Sequence, residues 1–262
     1  MQKNIFIEGL QGMGKSTLLQ RLSKRLPEYR VYREGDLSPV DLAWCSYMTE
    51  TEYQQALERY PNIAEEIRQW TKQEGDRYVV AYTRILTDYP GFHKDLEQFE
   101  IYNGRKSLEE LKQIVTKRFQ AFWKSKESGS LFECAFFQNI IEDLILFHQL
   151  SDEDIVEFYK QLFALVDRDS FLLLYLDSEQ VEENILQIKK ERCDEHGNPI
   201  WFELMINYLK DSPYGRQQGY ENASHLMLHL KHRQALERRI IREVLGENAI
   251  IVPARTEFEE LA

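Results

Sequence analysis

Cysteine is scarce in this chain of 262 residues, and its three copies lie far apart. Cys45, Cys134 and Cys193 form no CxxC pair of the kind that binds zinc, and they do not make an even set for intrachain disulfides. Disulfides persist mainly in oxidising compartments. We therefore expect three free thiols in a reducing compartment.

Long apolar runs and a basic arm are missing as well. No stretch approaches the roughly 20 apolar residues that a membrane-spanning helix needs, and the N-terminus enters a strand pattern at Asn4 without a secretion signal. The formal charge of -11, from 44 acidic and 33 basic residues, is spread along the chain. These features predict a cytoplasmic protein with neither a membrane nor a nucleic acid as its partner.

No internal repeat, low-complexity tract or Gly/Ser linker divides the chain, which favours one domain over residues 1–262. Helical patterns separate five short apolar runs that fit buried parallel strands, at residues 4–8, 30–33, 130–133, 171–177 and 249–253. This alternation predicts a three-layer α/β/α fold with about five parallel strands. Helix starts are predicted at Ser107, with Glu110 three residues later, and at Ser151, with Asp154 in the same place.

Residues 36–129 separate the second strand run from the third and form a long insertion. The segment is dense in Trp, Tyr and Glu and has a helix-like pattern. Long excursions at the carboxyl ends of parallel strands are where α/β proteins build substrate sites. We interpret the segment as a helical insertion on the substrate side, with a decoration that only covers the sheet as the alternative.

The stretch GLQGMGKS, from Gly9 to Ser16, has the spacing G-x-x-x-x-G-K-[ST] between a strand run and a helical pattern. Such glycines let backbone N–H groups point inward at oxyanions, and the following helix adds the positive end of its dipole. Lys15 would neutralise the β- and γ-phosphates, and the Ser16 hydroxyl would ligate Mg²⁺. The predicted ATP and Mg²⁺ site comprises Gly9, Gly12, Met13, Gly14, Lys15, Ser16 and Thr17.

Two other classes of nucleotide-binding protein do not fit this stretch. A dinucleotide-binding fold requires G-x-G-x-x-G and an acidic residue about twenty positions on, whereas the spacing here supplies a Lys and a hydroxyl for a triphosphate. A GTPase requires an Asn-Lys-x-Asp motif, which the sequence does not contain. The dehydrogenase hypothesis is therefore excluded, and guanine specificity has no support.

The stretch IEGLQGMGKST resembles the opening of the thymidylate kinase and deoxynucleoside kinase group. Three later stretches also resemble elements of that group. YREGD (32–36) is similar to its second strand, and LFECAFFQN (131–139) is similar to its third strand. LLLYLDSEQVEENILQIKKER (172–192) is similar to its fourth strand with the helix and basic lid that follow. The resemblance implies a P-loop kinase whose acceptor is nucleoside-like or nucleotide-like. Cys134 stands where both families have arginine, so the acceptor is not identified.

Candidate carboxylates follow the second, third and fourth strand runs. Glu34 and Asp36 follow the second, and either could orient or deprotonate an acceptor hydroxyl, with a solvated acidic turn as the alternative. Glu133 ends the third run and is preferred to Asp177 as the Mg²⁺ carboxylate, because the kinase order places the third strand beside the first. Asp177 is interpreted as a cap of the helix that begins after Ser178.

A mobile lid is predicted over about residues 189–220. Lys189, Lys190 and Arg192 precede a turn-rich stretch at 193–199, and Arg192 is the candidate that would stabilise the transferring phosphoryl group. The alternative is a basic helix C-terminus favoured by its dipole.

Residues with weaker support lie in the insertion and near the C-terminus. Arg77 and Arg84 are seven residues apart, and Tyr78 and Tyr82 are four apart, so on a helix each pair would lie on one face. Such a face could bind a base, a sugar or a phosphate, or it could simply belong to the core. Trp44 belongs to the same category. Three histidines, His225, His229 and His232, share one face of a predicted helix that we interpret as surface-facing. No role is assigned to them.

Two hypotheses follow. The preferred one is an ATP-dependent phosphotransferase that acts on a small-molecule acceptor. The alternative is a nucleotide-dependent regulatory ATPase or switch with a macromolecular partner, and it gains weight from the missing arginine after Glu133. The sequence contains no signal for the oligomeric state.

Overall fold

A computed structural model of the chain describes residues 2–254, which contain eight β-strands and eleven α-helices. The strands are β1 (Asn4–Glu8), β2 (Arg30–Tyr32), β3 (Ser46–Thr49), β4 (Thr71–Glu74), β5 (Arg77–Val80), β6 (Ser130–Glu133), β7 (Phe171–Asp177) and β8 (Ala249–Pro253). The helices are α1 (Lys15–Arg25), α2 (Glu50–Arg59), α3 (Ala64–Gln69), α4 (Phe92–Glu97), α5 (Leu108–Ser125), α6 (Gln138–Leu146), α7 (Asp152–Phe163), α8 (Val181–Glu191), α9 (Ile200–Asp211), α10 (Pro213–Gln218) and α11 (Ala223–Ile240). None of these helices is both long and apolar enough to cross a bilayer.

Five of the strands form a parallel sheet in the order β2-β6-β1-β7-β8. The prediction of these strands is confirmed: four have the predicted bounds, and β2 ends one residue earlier than predicted. All five residues of β1 are buried, as expected for a central strand with a continuous apolar run. The architecture is α/β and compatible with a three-layer α/β/α fold.

The core beside β1 is aromatic. The ring of Phe6 stacks on Phe132 of β6 at 4.7 Å and on Phe171 of β7 at 5.0 Å between centroids. Large aromatic side chains bury much apolar surface in a stacked arrangement of this kind. The three central strands are therefore joined by side-chain packing as well as by backbone hydrogen bonds.

The chain divides into two compact units. The first, here called the sheet unit, comprises residues 2–31 and 128–254 among those that the structure describes. The second, the insert unit, is Tyr32–Glu127. The predicted insertion at 36–129 covers most of the insert unit.

The insert unit contains a three-stranded antiparallel sheet, in the order β3-β5-β4, beside its helices. The prediction that Arg77 and Tyr78 lie on a helix is wrong, because both are in β5; Tyr82 and Arg84 follow in a short 3₁₀ helix. Gly75 explains the difference: it has a φ of 63° in the two-residue turn between β4 and β5, as a tight hairpin requires.

Tyr78 and Tyr82 pack inside the insert unit. The ring of Tyr78 stacks on Tyr53 of α2 at 4.4 Å between centroids, and Tyr82 is 3% exposed. The structure therefore supports the alternative interpretation for Tyr82, which is a place in the core.

Both predicted helix starts are confirmed. Ser107 forms a capping box with Glu110 at the start of α5, and the Ser151 hydroxyl accepts a hydrogen bond from the Asp154 N–H at the start of α7. These starts depend on contacts within one helical turn, which is why the local sequence predicted them.

The interpretation of α11 as surface-facing is wrong. His229 is 2% exposed, and Arg233 and Glu237 are fully buried on the same helix. Charged residues usually mark an exposed helix face, but buried charges are tolerated when they pair with one another. In α11 they do so, through contacts described below.

Candidate functional site

The glycine-rich loop, residues 9–14, joins β1 to α1. Gly9, Gly12 and Gly14 have φ values of 136°, 77° and 95°, a region that side chains disfavour. A Cβ atom at Gly9 would lie 2.4 Å from the backbone oxygen of Leu176, and one at Gly12 would lie 1.5 Å from Cδ1 of Ile188. Glycine is therefore required at Gly9 for space as well as for backbone conformation, whereas a Cβ at Gly12 would have to displace the Ile188 side chain.

Lys15 is the first residue of α1 and is nearly buried, with 7% exposure. Its Nζ donates hydrogen bonds to the backbone oxygens of Gly9 at 2.7 Å and Leu10 at 2.9 Å. Gly14 at the N-cap has no side chain to cap the helix, and the first turn contains no acidic residue. The positive end of α1 and the Lys15 ammonium therefore lie at the same loop without an acidic side chain in that turn.

Ser16 and Glu133, the two predicted metal ligands, are hydrogen-bonded to each other. Glu133 ends β6, directly opposite Ile7 of β1, and is 9% exposed. The Ser16 Oγ donates to Glu133 Oε1. A hydroxyl and a carboxylate are oxygen ligands of the kind that Mg²⁺ prefers, so the structure brings together two groups suited to one cation.

Asp177 ends β7 on the other side of β1 and is held by α11. Its carboxylate accepts hydrogen bonds from Gln234 Nε2 at 2.7 Å and Arg238 Nε at 2.8 Å. The prediction that it caps the next helix is wrong, because α8 begins at Val181 with Gln180 at the N-cap. Pairing with α11 engages the Asp177 carboxylate, whereas Glu133 contacts the hydroxyl beside the loop.

Glu8 is a functional candidate that the sequence analysis missed. It is fully buried at the end of β1, and its carboxylate accepts hydrogen bonds from the N–H groups of Phe136 at 2.7 Å and Gln138 at 3.4 Å. It thereby supplies an acceptor for the start of α6, which has no side-chain cap of its own. Burial raises the pKa of Glu8 to about 8. The signal in the sequence that could have identified Glu8 was an acidic residue at the end of a mostly apolar strand.

Arg233 is a second residue that was missed. Its guanidinium donates to Glu142, and its Nη2 donates to Gln11 Oε1 of the glycine-rich loop at 3.0 Å. Its Nε lies 3.1 Å from Glu237 Oε1, and the Tyr175 hydroxyl donates to the other oxygen of Glu237 at 2.6 Å. No sequence pattern indicates this network, because its five members come from four separate segments of the chain.

Burial and charge act in opposite directions on Glu142. Burial works to raise the pKa of this carboxyl, but His229 and Arg233 beside it hold that pKa at about 2. The Nε2 of His229 lies 2.7 Å from Glu142, whereas that of His232 lies 2.8 Å from Asp152. The two imidazoles therefore have separate acidic partners.

Arg192 lies at the C-cap of α8, and its guanidinium is 5.0 Å from the centre of the Trp201 ring. Lys189 lies 4.7 Å from the centre of the Phe202 ring in the same way. Two of the three cations of the predicted lid, Lys189 and Arg192, thus contact the first turn of α9. Helix α8 meets the glycine-rich loop through Ile188, beside Gly12, and through Asn184, whose Nδ2 lies 3.6 Å from Met13 Sδ.

Glu34 and Asp36 form a cluster within the insert unit. Asp36 Oδ1 pairs with Arg84 Nη2 at 2.6 Å, and its Oδ2 accepts from the Arg33 N–H at 2.7 Å. Glu34 Oε1 accepts from the Trp44 indole N–H at 3.1 Å. Trp44 is half exposed and has a φ of 60°. The structure therefore gathers several of the predicted acceptor-side residues, although not on a helix.

Asp41 is a buried acid of the insert unit that the sequence analysis missed. Its Oδ1 accepts a hydrogen bond from the Tyr102 hydroxyl at 2.7 Å, and its Oδ2 accepts from the Ala43 N–H at 3.1 Å. Burial nevertheless raises the pKa of Asp41 to about 6.

A scan against protein-family models finds no family that matches this chain, and a search of curated proteins finds no significant match.

Proposed function

We propose that the chain binds ATP with Mg²⁺ at the glycine-rich loop and transfers a phosphoryl group to a small-molecule acceptor, as a P-loop kinase-like enzyme. The observation that carries the proposal is the hydrogen bond between Ser16, after the loop, and Glu133, at the end of the neighbouring strand. A loop that only turned the chain from a strand into a helix would need neither this pair nor a nearly buried lysine.

The residues present suit the phosphate chain and its cation. Gly9, Gly12 and Gly14 leave the loop backbone uncovered by side chains at these positions, and Lys15 adds a positive charge. Ser16 and Glu133 offer hard oxygen ligands for Mg²⁺. When bound, Mg·ATP would supply the transferable phosphoryl group and the cation that offsets its charge. Lys15 would exchange its bonds to the carbonyls of Gly9 and Leu10 for bonds to phosphate oxygens.

Glu34 is the residue to which we assign the acceptor side. Asp36 already uses both carboxylate oxygens, on Arg84 and on a backbone N–H, which favours a positioning role. Glu34 shares its carboxylate with the indole of Trp44, a partly exposed ring that could stack on a planar acceptor. A carboxylate can orient an acceptor hydroxyl or take its proton.

Calorimetric titration with Mg·ATP tests nucleotide binding. Lys15→Ala should weaken binding by about 100-fold or more, because a charge that contacts the phosphates is lost. Lys24→Ala is the matched control, since Lys24 is exposed in the last turn of the same helix. Equal affinity of the wild-type protein and Lys15→Ala would refute the proposal.

Transfer of labelled γ-phosphate to a panel of nucleosides, nucleotides and other hydroxyl metabolites separates a kinase from a regulatory ATPase. Glu34→Gln should lose transfer and keep ATP affinity, whereas Asp36→Asn should retain part of the transfer activity. A wild-type protein that binds ATP tightly but phosphorylates no member of the panel would favour the regulatory ATPase.

A further inference from the structure

Gln11 is the polar side chain of the glycine-rich loop, and its amide has two unlike ends. The Oε1 accepts a hydrogen bond from Arg233 Nη2 at 3.0 Å. For the Nε2 group, no hydrogen-bond partner occurs within residues 2–254. Gln11 is partly exposed, so this donor is accessible.

The guanidinium fixes which end of the amide faces outward. A guanidinium carries only donors, so an amide beside it must present its oxygen and turn its NH₂ group away. Arg233 cannot turn to follow the amide, because it is fully buried between Glu142 and Glu237. The orientation of Gln11 is therefore set before any ligand binds, which lowers the entropic cost of using its donor.

We propose that Gln11 donates a side-chain N–H hydrogen bond to an anionic oxygen of the bound polyphosphate, and that Arg233 is the positioning residue that orients this donor. The proposal rests on the proposed function, since it assigns a further contact at the same loop. A charge-assisted hydrogen bond to a phosphate oxygen is about twice as strong as one to a neutral oxygen. The contact therefore selects a charged polyphosphate chain over a neutral hydroxyl ligand.

The test measures binding of Mg²⁺-tripolyphosphate by calorimetry, which isolates the phosphate contacts from any contact with a base. Gln11→Met keeps the length of the side chain and removes the donor, and it should weaken binding at least about tenfold. Gln20→Met, on the exposed surface of α1, is the matched control and should bind as the wild-type protein does.

The positioning role of Arg233 is tested by a double-mutant cycle. Arg233→Lys keeps a positive charge between the two buried glutamates and removes the planar group that reaches Gln11. It should weaken tripolyphosphate binding, and it should add no further loss in the Gln11→Met background. Should Arg233→Lys not fold, the NMR signal of the Gln11 side-chain amide still reports the contact, because it should shift when tripolyphosphate is added to the wild-type protein.

Each contrary result has its own meaning. Wild-type affinity in Gln11→Met, or an unshifted Gln11 amide signal, overturns the assignment of the donor and leaves nucleotide binding intact. Losses that add in the double variant overturn the positioning role of Arg233. Failure of the wild-type protein to bind either tripolyphosphate or Mg·ATP overturns both this inference and the proposed function.

Discussion

Each unit of the molecule contains an acid that is buried or largely buried, and the two acids are stabilised in different ways. In the sheet unit, Glu142 faces two basic side chains, His229 and Arg233. In the insert unit, Asp41 faces the neutral hydroxyl of Tyr102. The pKa of Glu142 is held at about 2, whereas the pKa of Asp41 is raised to about 6.

The difference shows what is needed to keep a buried carboxylate charged. Desolvation disfavours the charged form at both positions. A neighbouring cation outweighs that cost, whereas a hydrogen bond from a hydroxyl offsets only part of it. The sheet unit therefore depends on an intact ion network, and the insert unit carries an acid that is easily protonated.

Removal of the cation should give the largest effect. Arg233→Met leaves the buried Glu237 and the largely buried Glu142 without their shared guanidinium, and it should destabilise the protein by about 3–5 kcal/mol. Urea unfolding followed by far-UV circular dichroism measures the loss. Arg239 lies on α11, as Arg233 does, and forms an exposed ion pair with Glu153 of α7. Arg239→Ala should leave stability unchanged. Equal losses in the two variants would show that the buried network contributes nothing.

Removal of the hydroxyl in the insert unit should have a smaller effect. Tyr102→Phe takes one donor from the buried Asp41 carboxyl, and the expected cost is about 1–3 kcal/mol. Three of the four tryptophans lie in the insert unit, so fluorescence reports its unfolding in urea. Tyr53→Phe is the matched control, because the Tyr53 hydroxyl has no hydrogen-bond partner within the described part of the chain. A loss no greater than that of the control would contradict the prediction.

Much of the sheet unit could be predicted from the sequence, because its signals are local. Continuous apolar runs mark β1, β6, β7 and β8, and the spacing of the glycines with Lys15 marks the turn that follows β1. Ser16 was predicted as a Mg²⁺ ligand from the loop motif, and Glu133 from the strand order that the kinase resemblance implies. The structure places the two side chains in hydrogen-bond contact.

The insert unit was predicted less well, because its short strands give weak signals. In β5, RYVV fits a strand, but the spacing of Tyr78 and Tyr82 also fits a helix. The turn at Gly75 decides between the two structures through one backbone conformation. Periodicity over four residues could not make that distinction.

The buried polar contacts of both units were not predicted at all. Glu8 meets the backbone of Phe136, and Gln11 meets Arg233, at separations that no helical or strand period connects. Such pairs become neighbours only after the sheet has formed. Their sequence signal is a charged residue in an unexpected place, which does not indicate its partner.

The pH dependence of stability should distinguish the two acids, through small changes in the free energy of unfolding for each pH unit. Asp41 has a raised pKa of about 6 against an ordinary 3.8, so the native state binds more protons than the unfolded state in that range. Stability should therefore fall as pH rises through this window, by at most about 1.4 kcal/mol per pH unit. Asp41→Asn should make this slope shallower in the fluorescence-detected urea unfolding.

Glu142 should give the opposite sign. Its pKa of about 2 lies below the ordinary 4.5, so the stability that it contributes is present above pH 4.5 and is lost as pH falls towards 2. Glu142→Gln should make the acid-side slope shallower and leave the slope between about pH 4 and pH 6 in place. If one substitution made both slopes shallower, or if Asp41→Asn changed only the acid side, the contrast between a carboxylate held by basic side chains and one held by a hydroxyl would be wrong.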